Sequence, residues 1–198
     1  MSWSRPPTSI RCGSFLSSQS GISFSPNVTD ITFPSPVRSY DPIMDDSQRT
    51  FFVTTVTWQR LPIFRVEARA QLLIDVLLAY RDQGKYLLHE FVVMPDHIHV
   101  MLTPAADISV ERAVQFIKGG YSYRLRKEEK IQVWQPSFTN HRIRDAEDYE
   151  RHGSYVRLNP VRAGLVRDAA GYPSSSAGSG FRMDAMPQGL KPDFSKSA

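Results

Sequence analysis

The runs Tyr86–Met94 and His97–Pro104 are rich in apolar and β-branched residues, and only Pro95 and Asp96 stand between them. Parallel strands need a crossover of a dozen residues or more, so two strand-like runs joined by two turn formers close as an antiparallel hairpin. A lone hairpin is marginal in water, so the rest of the chain must supply further strands and a cover. Strand side chains alternate faces. His97, His99 and Met101 therefore share one face, and Ile98, Val100 and Leu102 share the other. The second face reads as core. The first presents two imidazoles at a spacing that a divalent metal bridges. Taken alone, such a pair is more often packing or surface than ligand.

The flanking sequence supplies the sheet. Thr50 to Trp58 is β-branched and aromatic and reads as a first strand. Val66, Ala70, Leu73, Leu77 and Tyr80 recur at helical spacing, and Gly84 is placed to stop that helix. A second helix is predicted from Ser109 to Glu128, with Val110, Ala113, Val114, Ile117, Tyr121 and Leu125 as its apolar stripe. Gly119 and Gly120 lie inside it. Each costs about 1 kcal/mol in helix propensity, so the pair predicts a close backbone approach or a kink. Phe138 to Ile143 reads as a fourth strand. Asp145 is a helix N-cap with Asp148 at N3, and Pro160 is expected to break the helix that follows at Leu158 or Asn159. The order β-α-β-β-α-β plus one helix predicts an α+β fold: a ferredoxin-like βαββαβ antiparallel sheet with an extra C-terminal helix. Its crossover helices would cover the Ile98 face and leave the histidine face to the last helix.

Composition bounds the remainder. Residues 1–47 carry Ser, Pro, Gly and Thr without period and read as a disordered leader; 48–174 reads as one domain, and 175–198 as a disordered Ser/Gly-containing tail. The single cysteine, Cys12, excludes an intrachain disulfide framework and a cysteine-based zinc cluster. No apolar run is long enough to span a bilayer, and the N-terminus lacks a basic start followed by an apolar core. A cytoplasmic setting is expected, with nucleoid association. The net charge of +4 is compatible with nucleic acid.

The last helix carries Tyr155 and Asn159 at i, i+4, one turn apart on one face. If it crosses the histidine face, a phenol and an amide oxygen converge on two imidazoles. Two nitrogens and one oxygen form an incomplete shell for Mg²⁺ or Mn²⁺ with positions left for a phosphate. Tyr121 and Tyr123 are rival nucleophiles. Tyr121 falls on the apolar stripe, and Tyr123 lies among arginines as a base-stacking residue would. Lys118, Arg124, Arg126, Arg142, Arg144 and Arg157 are candidate phosphate contacts, and His141 is placed to approach the same phosphate. Trp134 and Phe138 read as core or as stacking platforms. His152 is one turn before Tyr155, and His89 has no evident role.

Several segments in order carry a resemblance: Met94-Pro95-Asp96-His97-Ile98-His99, Phe116 to Arg124, Trp134-Gln135-Pro136-Ser137-Phe138, His141-Arg142-Ile143-Arg144-Asp145, and Tyr155 to Val166. Together these resemble the REP-associated tyrosine transposases, relatives of the IS200-like transposases in the HUH single-strand nuclease superfamily. The resemblance covers roughly residues 48 to 176. It implies a ferredoxin-like core, a divalent metal (Mg²⁺ or Mn²⁺), and one tyrosine that forms a 5′-phosphotyrosine link to single-stranded DNA. It also implies hairpin substrates, often repetitive extragenic palindromes, and a monomer or homodimer. By motif match the metal histidines are His97 and His99, the nucleophile is Tyr155, and the third ligand is Asn159. Two other classes compete: a non-catalytic single-strand-binding protein on the same platform, and a metal hydrolase of small phosphoesters that would not need Tyr155.

Overall fold

The computed structural model describes residues 49–126, 131–178, 180–188 and 190. The expected leader lies outside the described residues. Four strands and three helices follow the predicted order: β1 (Phe51–Val56), α1 (Glu67–Asp82), β2 (Tyr86–Met94), β3 (His97–Pro104), α2 (Val110–Leu125), β4 (Thr139–Arg142) and α3 (Ala146–Arg162). The strands form one antiparallel sheet in the order β2-β3-β1-β4, which is the ferredoxin-like topology. Pro95 and Asp96 make the hairpin turn between β2 and β3.

Each face of the sheet has its own apolar cluster. Val53, Leu88, Phe91, Val93, Ile98, Val100 and Leu102 pack with the buried stripes of α1 and α2. Val92, Met94 and Met101 pack on the other face with Tyr149 and Val156 of α3. Removing one such side chain from water stabilises a fold by about 1.5–3 kcal/mol. The two-sided hydrophobic demand of β2 and β3 thus holds the helices in two opposite layers. One irregularity interrupts the alternation. Leu88 pairs with Leu102 but Glu90 pairs with Met101, so His89 is an extra, bulged residue. Its ring is buried under α3 beside Tyr149, and its Nε2 lies 2.9 Å from the Thr103 hydroxyl. Burial lowers its pKa, which keeps it uncharged there.

Helix ends follow local chemistry. Asp145 caps α3, its Oδ1 accepting from the Asp148 N–H at 2.8 Å, and Ser109 caps α2 by accepting from Arg112 N–H. Gly84, at φ +68°, ends α1: Lys85 N–H donates to Tyr80 O and Gly84 N–H to Arg81 O, a Schellman motif. Val66, expected on the α1 stripe, is instead the extended residue before that helix. Pro160 does not break α3 as expected. The helix runs through it to Arg162 and ends in a second Schellman motif at Gly164, φ +69°, where Leu165 N–H donates to Pro160 O and Gly164 N–H to Val161 O. A proline removes one helical bond and crowds the turn before it. Only two helical residues follow, and Pro160 is buried.

The two glycines of α2 separate in role. Nothing lies within 4 Å of a Cβ built on Gly119, whereas one on Gly120 would stand 2.6 Å from the Tyr80 ring. That ring is held by stacking on Phe116 at 5.2 Å. Gly120 is the close approach that the sequence predicted, and it lets α1 and α2 meet. Gly120→Ala is therefore expected to destabilise by about 1–3 kcal/mol through overpacking. Gly119→Ala is expected to stabilise by about 0.5–1 kcal/mol. Urea unfolding of both variants checks the pair; equal effects would remove the packing role of Gly120.

Ser175, Ser176 and Asp184, grouped with the tail by composition, bond to β2. Ser176 N–H donates to Phe91 O at 2.9 Å, and Val93 N–H donates to Ser174 O at 2.8 Å. Asp184 accepts from Leu88 N–H and from Arg81 Nε. The segment satisfies an edge strand through main-chain bonds, a role small polar residues fill without any hydrophobic signal. Among the described residues, no helix is long and apolar enough to cross a membrane.

Candidate active site

The sheet register places the histidine pair. His99 stands opposite Thr54 of β1 and Val92 of β2, and His97 opposite Val56 and Met94. Their ring centroids are 4.8 Å apart. His99 is 5% exposed. Its Nδ1 lies 2.7 Å from the Thr54 hydroxyl, while its buried Nε2 has no hydrogen-bond partner. Burial, with a smaller contribution from nearby His97, lowers the His99 pKa to about 3, so the ring is neutral at ordinary pH. When Nδ1 donates its proton to Thr54, Nε2 keeps an unused lone pair inside the protein. His97 is oriented in parallel fashion: its Nδ1 lies 2.6 Å from Asp96 Oδ1. Burial raises the Asp96 pKa, but the His97 bond and the Arg60 guanidinium outweigh it and hold the carboxyl below its usual range. A carboxylate or hydroxyl behind each ring fixes the tautomer and leaves the other nitrogen for a metal. An orphaned buried imidazole nitrogen fits a cation ligand. Sequence alone does not mark Thr54 or Asp96 as a supporting group: Thr54 reaches His99 only through the β1–β3 register, and Asp96 reads as a turn residue beside the first histidine.

Helix α3 crosses this face. Tyr155 is 37% exposed, and its ring meets that of His99 at 5.2 Å and 71°. Phe52 of β1 lies among them, stacked on His99 at 5.3 Å, edge-on to Tyr155 at 5.9 Å, and 4.9 Å from His152. In sequence Phe52 is one residue of a strand; its central position depends on pairing that no local pattern reveals. The Arg162 guanidinium stands 5.6 Å from the Tyr155 ring, within cation–π range. Asn159 is 9% exposed, one turn beyond Tyr155. Its backbone carbonyl accepts from Ala163 N–H at the helix end.

The other sequence candidates scatter. Lys118 extends its ammonium to the carbonyls of Gln135, Pro136 and Ser137, at 2.6, 3.2 and 3.4 Å, which staples the segment after α2. Tyr123, Arg124 and Arg126 belong to α2 and its cap, in the layer behind the sheet, and Tyr123 is exposed. Tyr121 is core, packed against Phe64 and Trp134. Trp134 is buried with it and donates its indole N–H to Lys118 O. Arg142 and Arg144 are exposed at the β4 edge. Arg157 forms an ion pair with Glu90 of β2.

His141 pairs in register with Phe52, so it lies on the α3 face. Its Nε2 is 2.8 Å from Asp148 Oδ2, and His152 Nδ1 is 3.1 Å from Asp148 Oδ1. The two rings stack at 4.6 Å. Burial raises the Asp148 pKa, but the His141 bond, the Arg144 N–H and the two imidazoles outweigh it and hold the carboxyl low. In sequence Asp148 stands out only as an N3 residue, because its shortest side-chain partner, His141, comes from β4.

A ferredoxin-like sheet whose paired histidines face a tyrosine on a covering helix defines a class of site rather than one protein. The chain belongs to the family described as "Transposase IS200 like", whose model matches residues 47–159. A REP-associated tyrosine transposase of Escherichia coli (strain K12) is 28% identical over 107 residues, which is 54% of this chain and 63% of that relative's length. A solved structure described as a REP-associated tyrosine transposase bound to a REP hairpin aligns with TM-score 0.55 and 25% identity, over 65% of this chain and 76% of that one.

Proposed function

We propose that this chain is a metal-dependent tyrosine transposase and endonuclease that cleaves and rejoins single-stranded or hairpin DNA through a 5′-phosphotyrosine intermediate. The observation that carries the reading is the buried His99, with its unpartnered Nε2, against the ring of Tyr155 in a member of the IS200-like family. His97 and His99 would hold Mg²⁺ or Mn²⁺, with Asn159 as the third ligand. When bound, the cation polarises the phosphoryl oxygens and offsets the charge that builds on them.

The chain's own residues do the rest. Thr54 and Asp96 hold the imidazoles in orientation. Phe52 and His99 wall one side of the Tyr155 ring, while its exposed side admits a strand. The Tyr155 oxygen forms a bond to phosphorus as the bond to the 3′-oxygen breaks; the phenol proton passes to solvent, and the 3′-oxygen takes up one proton. The phosphotyrosine conserves the bond energy, so a 3′-hydroxyl can reverse the step. Arg162 stands against the Tyr155 ring, and Arg142 and Arg144 are exposed at the β4 edge, where they would meet a strand that runs on past that edge. Lys118 and Arg157 are engaged within the protein, and Tyr123, Arg124 and Arg126 meet only DNA that wraps round to the α2 layer.

The experiment is a denaturing-gel assay for covalent protein–DNA adducts on hairpins with single-stranded flanks. REP-type palindromes are the first choice, because the hairpin-bound relative carries one. A metal-dependent adduct supports the reading, and binding without an adduct would replace it with a non-catalytic binder. Affinity is expected to fall with salt at a slope of about −0.7 per phosphate contacted. Arg142→Ala combined with Arg144→Ala should flatten that slope by about one to two contacts, whereas Lys118→Ala should leave it unchanged. Titrations from low to moderate salt check both, and a flattened slope in Lys118→Ala would return that residue to the DNA path.

A further inference from the structure

We propose that His141, Asp148 and His152 form a second metal site, apart from the His97–His99 pair, that takes a transition cation of the Zn²⁺ class and ties β4 to the helix bearing Tyr155. One ligand atom from each residue lies within 4.8 Å of the others. Asp148 and His152 are i, i+4 on α3 and share a face, and the β4 register turns His141 toward them. Two ligand atoms bound tetrahedrally at 2.0–2.1 Å stand roughly 3.3 Å apart. His141 Nε2 lies 2.8 Å from Asp148 Oδ2 and His152 Nδ1 3.1 Å from Oδ1, so each ring already stands near ligand spacing from one carboxylate oxygen, and the carboxylate must turn to offer a single oxygen to both. The two rings, now stacked at 4.6 Å, must turn toward a shared centre, and no pair has to close by more than about 1.5 Å.

Charge favours the ion. Asp148 is a buried carboxylate whose oxygens meet two imidazoles and one backbone N–H, and Arg151 comes no nearer than 4.0 Å. A buried carboxylate gains from a full counter-charge. A cation between the rings supplies it once each imidazole carries its proton on the other nitrogen. The opposing cost is one hydrogen bond, because His152 Nδ1 also reaches the Asp148 backbone carbonyl at 2.9 Å; that is about 1 kcal/mol. Two nitrogens and one carboxylate oxygen are a donor set for a borderline cation rather than for Mg²⁺. His141 and His152 remain partly exposed, so water completes the shell from one side, and Phe52 closes the side toward His99.

The test is Co²⁺ titration of the full chain after chelation, followed by equilibrium binding and visible absorption. Wild type is expected to bind two equivalents, one with the intense bands of low-coordinate Co²⁺. His97→Ala/His99→Ala should bind one equivalent and keep those bands. His141→Ala/His152→Ala should lose the bands and keep one equivalent. Asp148→Asn preserves shape and should weaken the banded site at least about 10-fold; thermal melts confirm that each variant is folded. A single equivalent in wild type, or bands that survive His141→Ala/His152→Ala, overturns the second site. Two equivalents without DNA cleavage would leave this site standing and overturn the transposase reading instead.

Discussion

Tyr155→Phe is expected to fold, bind Mn²⁺ and bind hairpin DNA like wild type, yet to form no covalent adduct and lose cleavage by about 10⁴-fold or more. Phenylalanine keeps the ring, with its edge contact to Phe52 and its approach to His99. The phenol oxygen alone is lost, and Tyr155 is 37% exposed, so little stability should change. Tyr121→Phe and Tyr123→Phe should retain the adduct, since Tyr121 packs against Phe64 and Trp134 and Tyr123 sits on α2 behind the sheet. Mass spectrometry of the trapped, digested adduct should find a DNA 5′-phosphate on the peptide containing Tyr155. Metal-dependent cleavage that persists in Tyr155→Phe would make water the nucleophile and the protein a hydrolase.

His97→Ala and His99→Ala should each lower cleavage by about 10²–10³-fold or more, because the phosphoryl charge loses its main stabiliser. Their effects on folding should differ. His99 is buried against Thr54, Phe52 and Tyr155, so its removal leaves a cavity and is expected to cost about 1–3 kcal/mol. His97 is half-buried at the hairpin turn, and its removal should cost about 1 kcal/mol or less. The combination of similar losses in activity with unequal losses in stability identifies a shared ligand role rather than a packing role. Cleavage assays beside urea unfolding read both quantities. A His97→Ala variant that cleaves normally would remove the pair as ligands.

The hairpin, the pairing of His97 with His99 on one face and the i, i+4 relation of Tyr155 to Asn159 were all legible in the chain. Each depends on a local period of two or 3.6 residues or on a two-residue turn. The Asp145 cap and the Gly84 stop were legible for the same reason, since each is completed within six residues. The element order then limited the topology to the sheet observed.

What only the tertiary structure decided lies across elements. The β1–β3 and β1–β4 registers put Thr54 behind His99 and brought Phe52 and His141 to the same face. The packing of α3 joined Asp148 and His152 to His141. Lys118 reads as a phosphate contact until the fold turns three carbonyls toward it. Pro160 reads as a helix stop until burial and the Gly164 motif carry the helix past it. Ser176 and Asp184 lie in a stretch with no hydrophobic period, yet the open edge of β2 supplies their backbone partners. The physical reason is common to all of these. Local periodicity determines which face a side chain takes, but its partner and its desolvation are set by residues remote in sequence, through register and packing.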